Sequence, residues 1–317
     1  MSFYDESLEM IRHFISIQSL SYADLLSIVE RAASLANGNR RPEASLAGKV
    51  VGIYFRRPST RTRTSFSAGA LRLGAQIVSF GPHDLQLTTG ETLEDTGRVL
   101  AGYLDALVVR TNDSIFEMEA LAAQGEMPVI NAMSENEHPT QVIADLATLR
   151  QVFGTLAGLH LLYLGEGNNT ASALALAMAK LRGTKLTVAC PRGFGLPEKT
   201  TASALATAAK HGAVLEFLDD ARQLPSGVDA VYTTRWETMG VSKQISDWKP
   251  LFRPFAVDQE LMDRVSKPKG TVFLHDLPAV RGQEVTCEVL EGAQSLAFHQ
   301  ARFKMFGAMA VLEWCLA

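Results

Sequence analysis

The sequence is poor in cysteine and has neither a long apolar run nor a large excess of charge of one sign. Its cysteines, Cys190, Cys287 and Cys315, are odd in number and widely spaced, so they predict neither a disulfide framework nor a zinc site. No apolar run reaches the length of a membrane-spanning helix, and residues 1–17 lack a signal-peptide pattern. We therefore expect a cytoplasmic protein with no membrane partner.

The charge balance also restricts the class of ligand. The 317 residues carry a formal net charge of −4 at pH 7, which argues against a nucleic-acid surface and makes a small anion the better partner for local clusters of arginine. No group of residues has metal-ligand spacing, so we expect neither a metal nor another cofactor. Hydrophobic residues make up 47% of the chain, which is enough to form the cores of two domains.

The densest arginine cluster has four arginines within the eight residues 56–63. It follows the apolar run 50–55, which predicts a strand, and it leads into a helical pattern in residues 60–73. The turn between strand and helix would present free backbone N–H groups and the positive end of the helix dipole, which suit a phosphate. The alternative is an ordinary helix N-cap followed by solvated arginines.

The residues Ser59-Thr60-Arg61-Thr62-Arg63 resemble the phosphate motif of the aspartate/ornithine carbamoyltransferase family. Further segments match the same family, and together they cover nearly the whole chain. The resemblance implies that Ser59, Thr60, Arg61 and Thr62 bind the phosphate of carbamoyl phosphate.

Other matches lie on the carbamoyl phosphate side of the family pattern. Arg110 lies near the end of the apolar run 106–111, where open α/β sheets bind ligands, although a surface arginine at a strand edge is the alternative. The resemblance implies that Arg110 contacts the phosphate and the carbamoyl oxygen. Residues 138–141, His-Pro-Thr-Gln, match the family signature, which implies that His138 donates to the carbamoyl carbonyl and that Gln141 accepts from the carbamoyl NH2.

The polar loop 81–90 resembles the family loop that reaches into the active site of the neighbouring subunit. Gln86 matches the glutamine that touches carbamoyl phosphate there, and a solvated turn is the alternative. The resemblance thus implies a homotrimer, or a multiple of trimers, with a site shared between subunits.

The second half of the chain begins with a strand, a turn at 165–170 and an alanine-rich helix. This turn could be mistaken for a dinucleotide fingerprint, but its third glycine is absent and the next strand does not end in an acidic residue. In the family, asparagines at this turn bind the backbone end of the amino-acid acceptor, so Asn168 and Asn169 are acceptor-binding candidates. Turn chemistry alone is the other interpretation.

Residues 234–240 resemble the acceptor loop of ornithine carbamoyltransferases, in which the pattern is Asp-x-Trp-x-Ser-Met-Gly. Thr234 replaces the aspartate, which in the family pairs with the amino group of the acceptor. Thr238 and Met239 fit the pattern and are, with Thr234, candidates for acceptor binding.

The last motif begins at residue 275 and reads His-Asp-Leu-Pro-Ala, where the ornithine-type enzymes have His-Cys-Leu-Pro-Ala. Asp276 therefore occupies the position of the cysteine, and we predict that it holds the incoming ammonium group or takes its proton. The carbonyl of Leu277 would hold the carbamoyl NH2. Arg302, on the C-terminal helix, matches the family arginine near the carbamoyl group.

The alternation of strands and helices predicts an α/β protein of two domains, each a mainly parallel sheet flanked by helices, with a C-terminal helix that crosses back to the first domain. We expect residues 1–145 and 297–317 to bind carbamoyl phosphate and residues 146–296 to bind the acceptor. The predicted activity is carbamoyl transfer to an amine of an ornithine-like acceptor, with His138, Arg110, Asp276 and Arg302 as catalytic residues.

Three alternatives stay open at this point. The acceptor could be a shorter diamino acid, a diamine or an N-modified ornithine, because Thr234 and Asp276 depart from the ornithine pattern. An anion-binding regulatory module would have lost Arg61, His138 or Gln141, and all three are present. A nucleotide-dependent oxidoreductase would reveal a retained nucleotide by its ultraviolet absorbance.

Overall fold

The computed structural model describes residues 11–38, 43–111, 113–237, 243 and 247–316. The chain forms a four-stranded sheet and then a five-stranded sheet, and every strand pairing within the two sheets is parallel. The predicted fold class is therefore confirmed. Within the described ranges, no helix combines the length and the apolar character that crossing a membrane requires.

The first half contains the helices and strands α1 (Tyr22–Asn37), β1 (Val50–Phe55), α2 (Thr60–Arg72), β2 (Gln76–Phe80), α3 (Leu93–Ala101), β3 (Ala106–Arg110), α4 (Phe116–Ala122), β4 (Val129–Met133) and α5 (Pro139–Phe153). The second half contains β5 (His160–Leu164), α6 (Asn169–Met178), β6 (Lys185–Ala189), α7 (Glu198–His211), β7 (Val214–Leu218), β8 (Ala230–Thr233), α8 (Lys249–Phe252), α9 (Gln259–Val265), β9 (Val272–His275), α10 (Cys287–Leu290) and α11 (Ala297–Leu316). Short 3-10 turns occur at Ile17–Ser19, Gln86–Thr89, Ala221–Gln223 and Arg253–Phe255.

The strand order of each sheet places a ligand site at its middle. The orders are β2-β1-β3-β4 and β7-β6-β5-β8-β9, so the connections reverse direction between β1 and β3 and between β5 and β8. Ligands of open parallel sheets bind outside the carboxyl ends of the strands at such reversal points. The segments that follow β1, β3, β5 and β8 are therefore the ones to inspect for a site.

The C-terminal helix α11 joins the two halves. It follows the second sheet but packs against α1, α2 and α5 of the first half. Gly307 permits the close approach to α5, because a Cβ there would lie 3.3 Å from the side chain of Ile143. The predicted domain boundaries fall within α5, at residues 145 and 146, and at the start of α11, and they stay a prediction.

Candidate active site

A cavity of about 70 Å³ lies between the two halves, at the carboxyl ends of both sheets. Its walls come from segments that follow strands of both sheets, together with one side chain of α11. The lining residues are Ser59, Arg61, Thr62, Arg110, Met133, His138, Asn168, Asn169, Thr170, Arg235, Glu237, Asp276, Leu277, Pro278 and Lys304. Four of these side chains are cationic and two are carboxylates, so the cavity as a whole favours an anion.

The first wall is the start of α2, directly after β1. Ser59 is the N-cap residue in an extended conformation, and its side chain makes no capping hydrogen bond, so its hydroxyl is free for a ligand. The buried guanidinium of Arg110 donates from Nη1 to Thr62 Oγ1 at 3.1 Å, while its Nε is buried without a hydrogen-bond partner. An unpaired buried donor of this kind is costly unless a ligand accepts from it.

The cations of this wall are held without counter-ions. Among the residues that the structure describes, no carboxylate lies within ion-pair distance of Arg61, Arg110 or Lys304. Burial and the neighbouring positive charge of Arg61 lower the pKa of Arg110 to about 10, and burial lowers the pKa of Arg61 as well. Cations that are kept partly or wholly out of water without a counter-ion favour the binding of an anion.

His138 precedes α5, and its backbone N–H donates to the backbone oxygen of Asn169 at 3.1 Å, which connects the two halves. The imidazole is buried, and burial together with the charges of Lys304 and Arg110 lowers its pKa well below 6.5. At neutral pH the ring is therefore uncharged, with one nitrogen able to donate a hydrogen bond into the cavity.

The side chain that α11 contributes is Lys304, not Arg302. Lys304 is buried and lines the cavity, whereas Arg302 is exposed and does not line it, so the predicted contact of Arg302 with the carbamoyl group stays a prediction that this structure does not support. Burial lowers the pKa of Lys304 to about 8, even though Asp276 acts in the opposite direction.

Gln141 lies behind the cavity rather than on its wall. Its Oε1 accepts a hydrogen bond from Lys304, and its Nε2 donates to Asp145 Oδ1 at 2.7 Å. Asp145 also accepts from Gln300 at 2.6 Å and from Tyr232 at 3.0 Å. Burial raises the pKa of Asp145 to about 7. In this structure the side chain of Gln141 contacts Lys304 and Asp145 rather than facing the cavity, so its direct contact with the carbamoyl group stays a prediction.

The second half of the cavity begins at the N-terminus of α6. Asn168 caps this helix, since its Oδ1 accepts from the N–H groups of Thr170 and Ala171 at 3.0 and 3.1 Å. Its Nδ2 donates to Thr234 Oγ1 at 2.9 Å. Thr234 is buried, also bonds to the hydroxyl of Tyr163 at 3.0 Å, and does not line the cavity. Thr234, which the sequence predicts to contact the acceptor, is therefore hydrogen-bonded to Asn168 in this structure, and its contact with the acceptor stays a prediction.

Arg235 and Glu237 follow Thr234 and do line the cavity. Between them, Trp236 is buried and packs on Phe252, with ring centroids 5.4 Å apart. Gly165 lies against the indole and has a φ of +118°, so a side chain there would be strained and would meet the ring at 3.1 Å. Thr238 and Met239, also predicted to bind the acceptor, lie outside the described residues.

The last wall follows β9. Asp276 lines the cavity, and its Oδ2 accepts from Thr170 Oγ1 at 3.1 Å. His275 is fully buried, and its Nδ1 accepts from the backbone N–H of Leu277 at 2.9 Å, so the proton of the neutral ring is on Nε2, which faces Glu284 at 3.3 Å. Leu277 has a φ of +53°, a sparsely populated conformation for leucine that recurs at ligand sites.

Two predicted residues lie apart from the cavity. Thr60, the first residue of α2, and Gln86 are both exposed. Gln86 Oε1 accepts from Thr89 Oγ1 at 2.8 Å, and the residue does not line the cavity of its own chain. The cavity also contains Arg235 and Glu237, which flank Trp236 in the acceptor-loop motif, and four residues that sequence reasoning missed, namely Met133, Thr170, Pro278 and Lys304. A lysine within an apolar helix was the available signal for Lys304.

Two family models match successive parts of the chain. Residues 12–151 match the aspartate/ornithine carbamoyltransferase carbamoyl-P binding domain, and residues 157–315 match the Asp/Orn binding domain of the same family. The boundary between the two matches lies between the last strand of the first sheet and the first strand of the second sheet.

The chain is also similar to individual proteins that are named ornithine carbamoyltransferases. An ornithine carbamoyltransferase of Symbiobacterium thermophilum is 39% identical over 96% of this chain and 98% of its own length. Solved structures of ornithine carbamoyltransferases from Pyrococcus furiosus and Gloeobacter violaceus are each 36% identical, with TM-scores of 0.90 and 0.85. The former covers 96% of both chains, and the latter covers 97% of this chain and all of the other. With its cavity at the junction of the two matched domains, this chain belongs to the aspartate/ornithine carbamoyltransferase family and is a carbamoyltransferase.

Proposed function

We propose that the protein transfers the carbamoyl group of carbamoyl phosphate to the side-chain amine of an ornithine-like amino acid, releasing phosphate and a ureido product. The observation that carries this proposal is the division of the cavity. Arg110 and Lys304, buried cations with no counter-ion among the described residues, line one side, and Asp276 lies on the other side with the asparagine-capped start of α6. The names of the relatives support ornithine as the first acceptor to test.

The dianionic phosphate would bind at the start of α2, where backbone N–H groups and the helix dipole favour an anion. Arg61 and Arg110 supply the counter-charges, and the Ser59 hydroxyl adds a donor. The carbamoyl group then extends toward neutral His138, which donates to its carbonyl oxygen. The Leu277 carbonyl accepts from its NH2 group.

The chemical step needs a neutral amine, because an ammonium group has no lone pair. With an ordinary amine pKa near 10.4, selecting the free base at pH 7 costs roughly 4–5 kcal/mol. Asp276 would hold the incoming ammonium and accept its first proton. The amine nitrogen then bonds to the carbamoyl carbon, the carbon–oxygen bond to phosphate breaks, and the second proton leaves with the phosphate as HPO4²⁻.

Negative charge develops on the carbamoyl oxygen during the attack. His138, Arg110 and Lys304 are positioned before the reaction to stabilise this charge, which is the usual basis of oxyanion stabilisation. Thr62 helps indirectly, since it holds Arg110. Binding both substrates in one cavity supplies a further large part of the rate.

An acceptor other than ornithine is the second candidate. The observation in its favour is the orientation of Thr234, which bonds to Asn168 and leaves no carboxylate at that position to hold an α-ammonium group. A shorter diamino acid, a diamine or an N-modified ornithine would be the acceptor in that case.

We also propose that residues 1–145 with 297–317 form the carbamoyl phosphate domain, that residues 146–296 form the acceptor domain, and that three chains form the active unit with Gln86 donated to a neighbouring site. The exposed position of Gln86 supports donation across an interface. Mixing an inactive Gln86→Ala variant with an inactive Arg61→Ala variant should restore part of the activity. An active monomer by light scattering, or no recovery after verified subunit exchange, contradicts the shared site.

The proposed reaction is tested by phosphate release from carbamoyl phosphate with a panel of acceptors. The panel contains ornithine, lysine, 2,3-diaminopropionate, 1,4-diaminobutane, N-acetylornithine and aspartate. We expect ornithine to be carbamoylated, the ureido product to be visible by mass spectrometry, and aspartate to be inert. Release without a ureido product from any acceptor would contradict the proposed function.

A further inference from the structure

Two charged side chains of the cavity have no part in the proposed binding of carbamoyl phosphate. Arg235 and Glu237 lie on the segment after β8, and their side chains are 37% and 36% exposed. Their closest charged atoms, Nη2 and Oε2, are 4.0 Å apart, which is too far for a hydrogen bond. Each group therefore keeps its capacity to bind a ligand.

The residue between them helps to explain why both side chains face the same way. Arg235 and Glu237 line the cavity, and the intermediate residue does not. Trp236 is that intermediate residue, and it is anchored among Phe252, Trp248 and Gly165. A buried aromatic anchor of this kind fixes the direction of its neighbours, so Arg235 and Glu237 are directed into the cavity.

We propose that Arg235 and Glu237 determine the acceptor class by binding the α-carboxylate and the α-ammonium group of a basic amino acid, an inference that rests on the proposed function. An amino acid with a side-chain amine carries one negative and two positive charges at pH 7. The cavity that remains beside carbamoyl phosphate contains one cation, Arg235, and two carboxylates, Glu237 and Asp276. Each charge of the acceptor thus has one partner, with Asp276 taking the reacting ammonium.

The same arrangement discriminates against other acceptors. A diamine has no carboxylate, so Arg235 would be desolvated without a counter-ion. Aspartate would bring a second carboxylate toward Asp276 in place of an ammonium group. An N-acylated ornithine has no α-ammonium group that could pair with Glu237. The preferred class is therefore an unmodified α-amino acid with a terminal primary amine, and Glu237 replaces the carboxylate that the sequence pattern lacks at Thr234.

The test combines two variants with three ligands that differ by one charged group. Ornithine has both α-groups, 5-aminopentanoate lacks the α-ammonium, and 1,4-diaminobutane lacks the carboxylate. Arg235→Gln should lower kcat/KM about tenfold or more for ornithine and 5-aminopentanoate, with less than a twofold change for 1,4-diaminobutane. Glu237→Gln should lower it similarly for ornithine and 1,4-diaminobutane but not for 5-aminopentanoate. For a ligand that is turned over too slowly, the inhibition constant against ornithine replaces kcat/KM.

Arg253→Gln and Glu260→Gln are matched controls, since both residues are exposed and lie away from the cavity. An equal loss for all three ligands in Arg235→Gln or Glu237→Gln overturns the inference, because it indicates that the side chain supports the segment rather than the ligand. No loss for any ligand overturns it as well. The proposed function fails separately, when the wild-type protein binds carbamoyl phosphate but carbamoylates no acceptor of the panel.

Discussion

The two sides of the cavity use polar side chains in different ways. On the carbamoyl phosphate side, Arg110 and Lys304 are buried cations without an ion-pair partner among the described residues. On the acceptor side, Asn168 and Asp276 are already hydrogen-bonded to neighbouring side chains and backbone. Arg235 and Glu237 there remain about one-third exposed.

From this difference we infer that the carbamoyl phosphate side provides most of the affinity for carbamoyl phosphate, whereas the acceptor side provides the selectivity among acceptors. Charge interactions strengthen as the surroundings become drier, so the buried cations should supply most of the free energy of binding for a small dianion. Half-exposed charges on the acceptor side contribute less individually, and their arrangement selects among acceptors. Carbamoyl phosphate should accordingly bind without an acceptor.

The largest expected effect concerns Arg110. Arg110→Met removes a buried counter-charge of the phosphate, so carbamoyl phosphate affinity should fall by roughly 30-fold to several thousand-fold, from a penalty of about 2–5 kcal/mol. The affinity for carbamoyl phosphate is measured by isothermal calorimetry in the absence of an acceptor. The control is Arg72→Met, an exposed arginine at the other end of α2. An unchanged affinity of Arg110→Met for carbamoyl phosphate would show that the phosphate does not bind beside Arg110.

A smaller effect is expected on the acceptor side. Thr234→Val removes the oxygen that accepts from Asn168 Nδ2, so Asn168 loses its orientation. We expect kcat/KM for the acceptor to fall roughly 5- to 30-fold, from a lost hydrogen bond of about 1–2 kcal/mol, with the Kd for carbamoyl phosphate unchanged. Thr207→Val, on the half-buried face of α7, serves as control. An equal fall in carbamoyl phosphate affinity would show that the two sides are not separable.

A pH dependence should distinguish Lys304 from the arginines. Its pKa of about 8 means that the free enzyme holds this charge below pH 8 and loses it above. Binding of a dianion then requires proton uptake, so affinity should fall by up to about tenfold per pH unit above pH 8. The charged groups that face Lys304 are Asp276, Arg110, Asp145 and Arg61, and the uncharged imidazole of His138 lies beside them. Asp145, with a pKa of about 7, and Arg110, with a pKa of about 10, titrate on either side of Lys304, so a variant of Lys304 is needed to assign the profile.

Lys304→Arg should flatten this profile, because a guanidinium stays protonated across the range. The measurement is the affinity for phosphonoacetamide between pH 7 and 9.5, since its methylene bridge does not hydrolyse as carbamoyl phosphate does. Lys199→Arg, an exposed lysine, should retain the wild-type profile. A profile that is the same in Lys304→Arg and in the wild type assigns the titration to another group.

The smallest effect should come from Arg302. This side chain is exposed and away from the cavity, so Arg302→Gln should change kcat/KM and carbamoyl phosphate affinity by less than about twofold, as surface substitutions usually do. The check is to measure the steady-state kinetics of Arg302→Gln and of Lys304→Gln under the same conditions. A tenfold loss in Arg302→Gln alone would restore the role that the sequence predicts.

There is a structural reason why the sequence could point to Ser59, Thr62, Arg110 and His138, which line the cavity. Each lies where a strand ends or a helix begins, and such positions can be read from an apolar run followed by a turn. The topology of parallel sheets then brings these ends together without any knowledge of side-chain packing.

The structure departs from the sequence prediction where the direction of a side chain decides whether it faces the cavity. Arg302 and Lys304 are two residues apart on α11, about 200° around the helix, so only one can face the cavity. Most of α11 is buried, so its apolar pattern did not identify the inward face. Gln141 was assigned correctly to the start of α5, but the hydrogen bonds to Lys304 and Asp145, which direct it away from the cavity, depend on residues distant in sequence.

The chain passes between the two sheets twice, by way of α5 on the outward path and α11 on the return, and these helices pack side by side. Two neighbouring covalent connections restrict relative movement mainly to a single rotation, about the line that joins them. His138 and Lys304 lie on these connections and would hardly move, whereas Arg235 and Glu237 lie beyond them and would travel furthest. A rotation about that line would widen the acceptor side of the cavity more than the phosphate side, so the places where the chain crosses decide which side of the cavity can open.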